Sequence, residues 1–362
     1  MSKKIIIAGG GTGGHIFPAI AIANALQKKD PSIQILFIGA KGKMEMEKVP
    51  EAGYEIKGLD IAGLNRSSLI KNIALPFKLI KSFLQVKRIF RSFQPDAVVG
   101  VGGYSTFPVL RYAQSKSIPT FIHESNSFAG KANMLLGKKA TKIFTATEGM
   151  EMFFPENKII VTGNPVRRPI ASMNVGREEG IRFFSLSPGK LTVLVVGGSL
   201  GAKSINEAVI AHYNELLKAG LQLIWQTGNT LAREAAEIAV EHKDIWANPF
   251  IAEMQNAYAA ADIIMARAGA MTVAEICVAR KPVIFVPYPF AAEDHQTANA
   301  MQLVNKGAAW LVRDGEAKDT AIAKVIELSK DAATREYMSR TLAGLSVTDA
   351  DDRIADEILK QL

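Results

Sequence analysis

The sequence predicts an α/β protein made of two doubly wound domains that face each other across a cleft. Three observations carry this. Strand-like β-branched runs alternate with longer helical patterns along all 362 residues, the signature of parallel sheets covered by helices. Each half opens with the same device: a buried strand, a glycine turn, then a helix. The length suits about two domains.

In the first half, KKIIIAGG (3–10), IQILFIG (33–39), DAVVGVGG (96–103), TFIHE (120–124) and KIFTA (142–146) are expected as strands. KIIVTG (158–163) closes this series, and GNPVRRP follows. Apolar runs of this kind fit strands of a parallel sheet buried on both faces. In the second half, LTVLVVGG (191–198), LQLIWQTG (221–228), ADIIMARAG (261–269) and PVIFVP (282–287) are expected as strands separated by helices. The domains are expected at 1–162 and 163–345, joined near 163–170. In the remaining segment, 346–362, a charged amphipathic helix is expected at about 350–361 and packs back on the first domain. Ligands of such sheets bind beyond the carboxyl ends of the strands.

Composition narrows the class. Hydrophobic residues at 48% and charged residues at 22% are ordinary for a globular enzyme. No apolar run reaches the roughly 18–20 residues that a membrane-spanning helix needs. The apolar stretch after Lys3-Lys4 gives way to glycines too soon for a signal peptide. The single cysteine, Cys277, has no internal disulfide partner and reads as a small buried hydrophobe, which fits a reducing cytoplasm. The net charge of +8 is unevenly spread: residues 1–162 hold 22 Lys and Arg against 11 Asp and Glu, whereas the remainder is net acidic. That asymmetry suits an anionic partner of the first half, nucleic acid or a membrane surface, or else a merely basic solvated face.

Three glycine turns follow expected strands. Gly9-Gly10-Gly11-Thr12-Gly13-Gly14-His15 matches G-x-G-x-x-G in form, and glycines let a backbone approach an anion at a helix N-terminus. A dinucleotide site also wants an acid at the end of the second strand, and Phe37-Ile38-Gly39-Ala40 supplies none, which argues against a nicotinamide cofactor. Gly197-Gly198-Ser199-Leu200-Gly201-Ala202 offers a serine hydroxyl to a phosphate, and Ala268-Gly269-Ala270-Met271-Thr272 leads into a helix carrying Glu275. Two helix N-termini with a serine and a threonine suit a diphosphate. Glu275 is expected either to accept ribose hydroxyls or to be a favourable charge near a helix start. No turn ends in the G-K-[ST] of an ATP-binding loop.

Three polar clusters sit at expected strand ends or junctions: His123-Glu124-Ser125-Asn126, Gly163-Asn164-Pro165-Val166-Arg167-Arg168 and Asp294-His295-Gln296. Each alone fits a turn or cap; together at strand ends they point to a site. The five histidines show no zinc spacing, so no metal is expected. Asp349-Ala350-Asp351 directly precedes the terminal helix and reads as an N-cap. Residues 66–91 carry Arg66, Lys71, Lys78, Lys81, Lys87, Arg88 and Arg91 without an acid. Ile73, Phe77, Ile80 and Leu84 fall on one helical face there, with Phe83 at its edge. Pro76 is tolerable only in a first turn. The stretch fits an interfacial helix dipping into anionic lipid, or a core-packed helix with a basic outer face. A nucleic-acid partner is not expected, because no aromatics interleave the charged face.

These motifs, in order, resemble the UDP-N-acetylglucosamine transferases of peptidoglycan synthesis, the MurG family: GGGTGGHIFPA (9–19), VGGYSTFP (101–108), HESN (123–126), GNPVR (163–167), GGSLGA (197–202), RAGAMTVAE (267–275) and DHQTANA (294–300). The resemblance covers nearly the whole chain. It implies a GT-B fold of two Rossmann-like domains and a peripheral enzyme on the cytoplasmic face of the cell membrane. It further implies inversion at the sugar carbon, with no metal and no cofactor. The donor it implies is UDP-N-acetylglucosamine. The acceptor is lipid I, undecaprenyl-diphospho-N-acetylmuramoyl-pentapeptide, and the third partner is an anionic membrane surface.

Carried over by position, the resemblance gives the donor Thr12, Gly13, Gly14 and Asn126, with Arg167 and Ser199 on its diphosphate. Ile251 would meet uracil. Ala270, Met271, Thr272, Val273, Ala274 and Glu275 would cradle phosphate and sugar, and Gln296 would read a sugar hydroxyl. His15, Tyr104, His123 and Glu124 resemble acceptor-facing positions, with His15 the first candidate for catalytic base and Glu124 the second. Ile73, Phe77, Ile80 and Phe83 resemble a membrane-contacting patch. Ser125 stands where glutamine is usual, Ala268 where serine is common and Leu200 where glutamine often occurs, so fine sugar contacts are expected to differ. Another GT-B enzyme, a UDP-sugar 2-epimerase or a glycolipid synthase, is the alternative.

Overall fold

The structure, a computed structural model, describes residues 2–62, 75–198 and 201–362. They form two compact units, Met1–Arg167 with Asp349–Leu362, and Arg168–Thr348.

Unit 1 winds strand and helix alternately. β1 (Lys4–Ala8) leads to α1 (Gly13–Lys29), β2 (Gln34–Ala40) to α2 (Glu45–Glu51), and β3 (Glu55–Leu59) precedes α3 (Leu75–Phe93). β4 (Ala97–Gly100) leads to α4 (Thr106–Ser115) and β5 (Thr120–Glu124) to α5 (Lys131–Gly137), before β6 (Lys142–Thr145) and β7 (Ile159–Val161). The parallel sheet has the order β3-β2-β1-β4-β5-β6-β7. Ile5, Ile6 and Ile7 of β1 are wholly buried, alternate residues feeding the cores on opposite faces.

Unit 2 repeats the scheme. After α6 (Arg168–Ser172) and α7 (Arg177–Phe183), β8 (Thr192–Val196) leads to α8 (Lys203–Lys218) and β9 (Gln222–Gln226) to α9 (Ala232–Glu241). β10 (Ile245–Asn248) precedes α10 (Met254–Ala260), and β11 (Ile263–Ala266) leads to α11 (Ala270–Ala279). β12 (Val283–Phe285), α12 (His295–Val304), β13 (Ala309–Leu311), α13 (Ala317–Lys330) and α14 (Ala332–Gly344) complete it. This sheet runs β10-β9-β8-β11-β12-β13, also parallel.

Three strands escaped the sequence reading: β3, β10 and β13. All are sheet edges, where one side of the strand lacks a neighbour and the apolar run shortens. The last helix, α15 (Ala350–Leu359), belongs to unit 1. Its Ile354, Ala355 and Ile358 enter the core with Ile22 and Leu26 of α1. On its outer side Asp356 pairs with Lys29 at 2.8 Å. Asp349 stands at the N-cap of α15, but its carboxylate takes Arg353 Nε at 2.9 Å and no helix amide. Pro76 is the second residue of α3 as described, where its missing N–H is harmless. Among the described residues no helix is long and apolar enough to cross a membrane.

Candidate active site

In each unit the strand order reverses once, between β1 and β4 and between β8 and β11. Such switch points open a crevice beyond the strand ends. The glycine turns of the sequence lie there, after β1 and β4 in unit 1 and after β8 and β11 in unit 2.

In unit 1 the two turns pack on each other. The Gly10 N–H donates to the Gly102 carbonyl at 3.2 Å. Gly103, at φ +89°, passes so close that a Cβ there would lie 2.3 Å from the Gly10 carbonyl oxygen. Thr12 caps α1 by position, and Gly13 and Gly14 are the first residues of that helix. His15 follows, half-buried, with Nδ1 3.2 Å from the Gly10 carbonyl oxygen. A carbonyl only accepts, so Nδ1 carries the proton and Nε2 is the acceptor nitrogen. The ring has space because Gly102, at φ +99°, has no side chain; a Cβ there would sit 2.7 Å from Nε2.

The first glycine turn also holds an acid that sequence reasoning missed. Glu45, buried at the start of α2, accepts the N–H of Gly11 at 2.8 Å and of Ala40 at 2.9 Å. The chain's own carboxylate therefore occupies an amide of the turn that formally matches a dinucleotide motif. Nothing local marks Glu45, whose partner Gly11 is 34 residues away.

The HESN cluster divides. His123 is 1% exposed, and neither ring nitrogen has a hydrogen bond of ordinary geometry. Burial pushes its imidazole down to about 4; the Gly163 backbone opposes that push and His15 adds to it. His123, whose motif resembles an acceptor-facing position, is thus a buried side chain in this structure. Glu124 is buried too. Its Oε1 accepts Asn126 N–H at 3.1 Å and Asn126 Nδ2 at 3.3 Å; its Oε2 accepts Gly130 N–H at 3.1 Å and Asn133 Nδ2 at 2.9 Å. All four donors belong to residues 126–133, so Glu124 organises that loop. Asn126 is presented by that loop. Tyr104 is exposed in the turn after β4. Arg167 ends the first stretch of unit 1, its guanidinium 5.3 Å from the Phe17 ring centroid.

In unit 2, β8 and β11 pair with Val196 opposite Ala266, so the turns after them leave the same sheet end side by side. Ser199 and Leu200 lie outside the described residues. Gly269 is the N-cap of α11, and Ala270, Met271, Thr272, Val273, Ala274 and Glu275 form its first six residues. Glu275 is buried and accepts the Tyr258 hydroxyl from α10 at 3.0 Å, a partner the sequence reading missed. Ile251 is buried in the segment between β10 and α10. Gln296 is the second residue of α12, which follows two left-handed residues, Glu293 (φ +50°) and Asp294 (φ +52°), and its Oε1 accepts Tyr288 N–H at 3.0 Å. Side chains this size rarely adopt such φ values, and strain of that kind gathers at ligand-handling segments. Asn299 Nδ2 donates to the Ala268 carbonyl at 3.1 Å, tying α12 to the turn before α11. Cys277 is buried, and burial pushes its thiol up to about 12.

On α3, the core face is Ser82, Val86 and Phe90. Phe77, Ile80 and Leu84 form a separate stripe at i, i+3 and i+7, exposed by 74%, 61% and 63%. Phe83 is half-buried; Ile73 lies outside the described residues. Lys78, Lys87, Arg88 and Arg91 are exposed along the same helix. Lys81 pairs with Asp60 at 2.9 Å, and Lys41 and Lys81 together hold the Asp60 carboxyl down at about 2. Among the described residues no group of three His, Cys, Asp or Glu is arranged to hold a metal.

Both units match one family. Residues 5–145 match the glycosyltransferase family 28 N-terminal domain and residues 192–354 the family 28 C-terminal domain. A UDP-N-acetylglucosamine--N-acetylmuramyl-(pentapeptide) pyrophosphoryl-undecaprenol N-acetylglucosamine transferase of Phocaeicola vulgatus is 50% identical over 360 residues, spanning 99% of this chain and 96% of that protein. A protein of the same name from Cytophaga hutchinsonii is 45% identical over 357 residues, spanning 99% and 96%. The crystal structure of Acinetobacter baumannii MurG matches with a TM-score of 0.81 at 30% identity, covering 99% of each chain. A UDP-N-acetylglucosamine 2-epimerase matches with a TM-score of 0.67 at 17% identity, over 100% of this chain and 96% of that one, which is a likeness of fold alone.

Proposed function

The chain belongs to glycosyltransferase family 28, and from that premise we propose how it performs the transfer named for its relatives. It is an N-acetylglucosaminyltransferase of peptidoglycan synthesis, with UDP-N-acetylglucosamine as donor and lipid I as acceptor. The observation that carries this is the identity of 45–50% to such transferases over 99% of the chain, through both units.

The proposed chemistry is a single inverting displacement. The 4-hydroxyl oxygen of the muramoyl sugar bonds to the anomeric carbon as that carbon's bond to the UDP oxygen breaks. UDP leaves with the electron pair. The hydroxyl proton goes to Nε2 of His15, whose tautomer the Gly10 carbonyl sets. The N-terminus of α11, the Ser199 hydroxyl and the Arg167 guanidinium would stabilise charge developing on the diphosphate. Glu275, held by Tyr258, would take the ribose hydroxyls, Gln296 a sugar hydroxyl and the Ile251 backbone the uracil. Thr12, Gly13, Gly14 and Asn126 would complete the donor contacts, and Tyr104 would meet the acceptor. The test is incorporation of labelled sugar from UDP-N-acetylglucosamine into a short-chain lipid I analogue. Incorporation unchanged by a chelator is the expected result; labelled free sugar or epimerised donor as the sole product would refute the reading.

The proposal extends to the cytoplasmic face of the membrane. The apolar stripe Phe77, Ile80 and Leu84 is the unburied face of α3, and the cations Lys87 and Arg91 continue it at helical spacing. Each cation near an anionic surface contributes about 1 kcal/mol. Replacing Phe77 and Ile80 together by serine is expected to weaken partitioning onto vesicles containing anionic lipid by about tenfold or more. The melting temperature should hold, because neither side chain packs in the core. Partitioning equal to that of the unaltered protein would exclude this stripe as the membrane contact.

A further inference from the structure

We propose that Asp314 and Ser204, acting through Arg267, are positioning residues for the nucleotide donor. The inference rests on the reading that unit 2 holds that donor. Arg267 is the last residue before the turn into α11, and its side chain is only 12% exposed. Its Nη1 donates to the carbonyl oxygens of Val286 at 2.9 Å and Pro287 at 3.2 Å and to Asp314 Oδ1, and its Nη2 donates to Ser204 Oγ at 3.1 Å. Its guanidinium also lies 5.5 Å from the Tyr288 ring centroid. Ser204 Oγ in turn donates to Asp314 Oδ1, which closes a triangle of charge-assisted bonds.

This one guanidinium joins the three segments that carry the donor contacts. Ser204 is in the first turn of α8, directly after the glycine turn 197–202. Val286–Tyr288 leads toward α12, and the Tyr288 N–H holds Gln296. Arg267 itself continues into Gly269 and the N-terminus of α11. With four bonds from its terminal nitrogens going to protein acceptors, Arg267 serves to hold these segments together. Asp314 is what holds Arg267, since a carboxylate fixes a guanidinium in place as carbonyls alone do not. Asp314 comes from the loop before α13, 47 residues from Arg267 and 110 from Ser204.

The test compares wild type with Asp314→Ala, Asp314→Asn and Ser204→Ala. UDP affinity by calorimetry, KM for donor and for acceptor, kcat and melting temperature are all measured. Asp314→Ala is expected to raise the UDP Kd and the donor KM by about tenfold, because small displacements of contact groups carry large penalties. The acceptor KM should stay within about twofold. Asp314→Asn keeps an acceptor for Ser204 and should fall between wild type and Asp314→Ala. If the melting temperature drops while the donor KM and UDP Kd are unchanged, the network is merely structural and the proposal is overturned. If donor and acceptor KM rise together, it is overturned as well. Wild type that binds no UDP would instead overturn the donor reading on which it rests.

Discussion

His15→Ala is expected to lower kcat by about 10²–10⁴-fold while leaving UDP affinity within about twofold, the signature of a lost general base. The expectation comes from geometry. The imidazole stands on the first turn of α1, and its Nδ1–H is directed to the Gly10 carbonyl, so the proton-accepting nitrogen is Nε2. The glycine turn after β4 leaves space for the ring where any side chain at Gly102 would collide with it. Glu124, the other carrier of basic lone pairs in the motif, already serves four donors. Single-turnover rates with a short-chain lipid acceptor, beside calorimetric titration with UDP, separate the two quantities. Turnover within a few-fold of wild type would remove His15 as the base. A matching loss of UDP affinity would make it a donor-binding group instead.

The second large effect is on stability as a function of pH. His123 is buried neutral, with its imidazole at about 4 in the fold against an ordinary value of 6.5. Between those two values the unfolded chain binds a proton that the folded chain refuses. Stability from this group is therefore complete above about pH 6.5, declines as pH falls, and levels off below about pH 4. The difference corresponds to about 3 kcal/mol. Carboxylates titrate over part of the same range, so the measurement is a comparison. Urea unfolding of wild type and His123→Phe, at pH 7 and at pH 4, should show wild type losing about 3 kcal/mol more than the variant. Equal losses would mean that the His123 ring accepts a proton without leaving the fold.

The central strands were legible because each is covered on both faces, so that burial writes itself into the chain as an unbroken apolar run, as in Ile5-Ile6-Ile7 or Val193-Leu194-Val195. β3, with Glu55 and Lys57 alternating with Ile56, lacks that run because it closes an edge of its sheet. The glycine turns were legible for a similar local reason: a strand, a glycine turn and a helix start are adjacent in sequence. Glu45, Tyr258 and Asp314 were not, because each bonds a partner distant in sequence, 34, 17 and 47 residues away. Along α3 both the Phe77-Ile80-Leu84 stripe and the Ser82-Val86-Phe90 stripe have helical spacing, and periodicity alone does not say which one meets the core.

The sequence by itself determined the two wound sheets, the order of their turns and the family to which these belong, since all of these are written in short-range patterns of apolar, glycine and polar residues. Tertiary structure decided which polar groups are open to a ligand. It turned His123 inward, gave Glu124 to its own loop, filled the first glycine turn with Glu45 and left the Phe77 stripe of α3 bare. The physical reason is that burial and hydrogen-bond partnership belong to pairs of distant segments, and a polar side chain acquires its role only when folding settles what lies beside it.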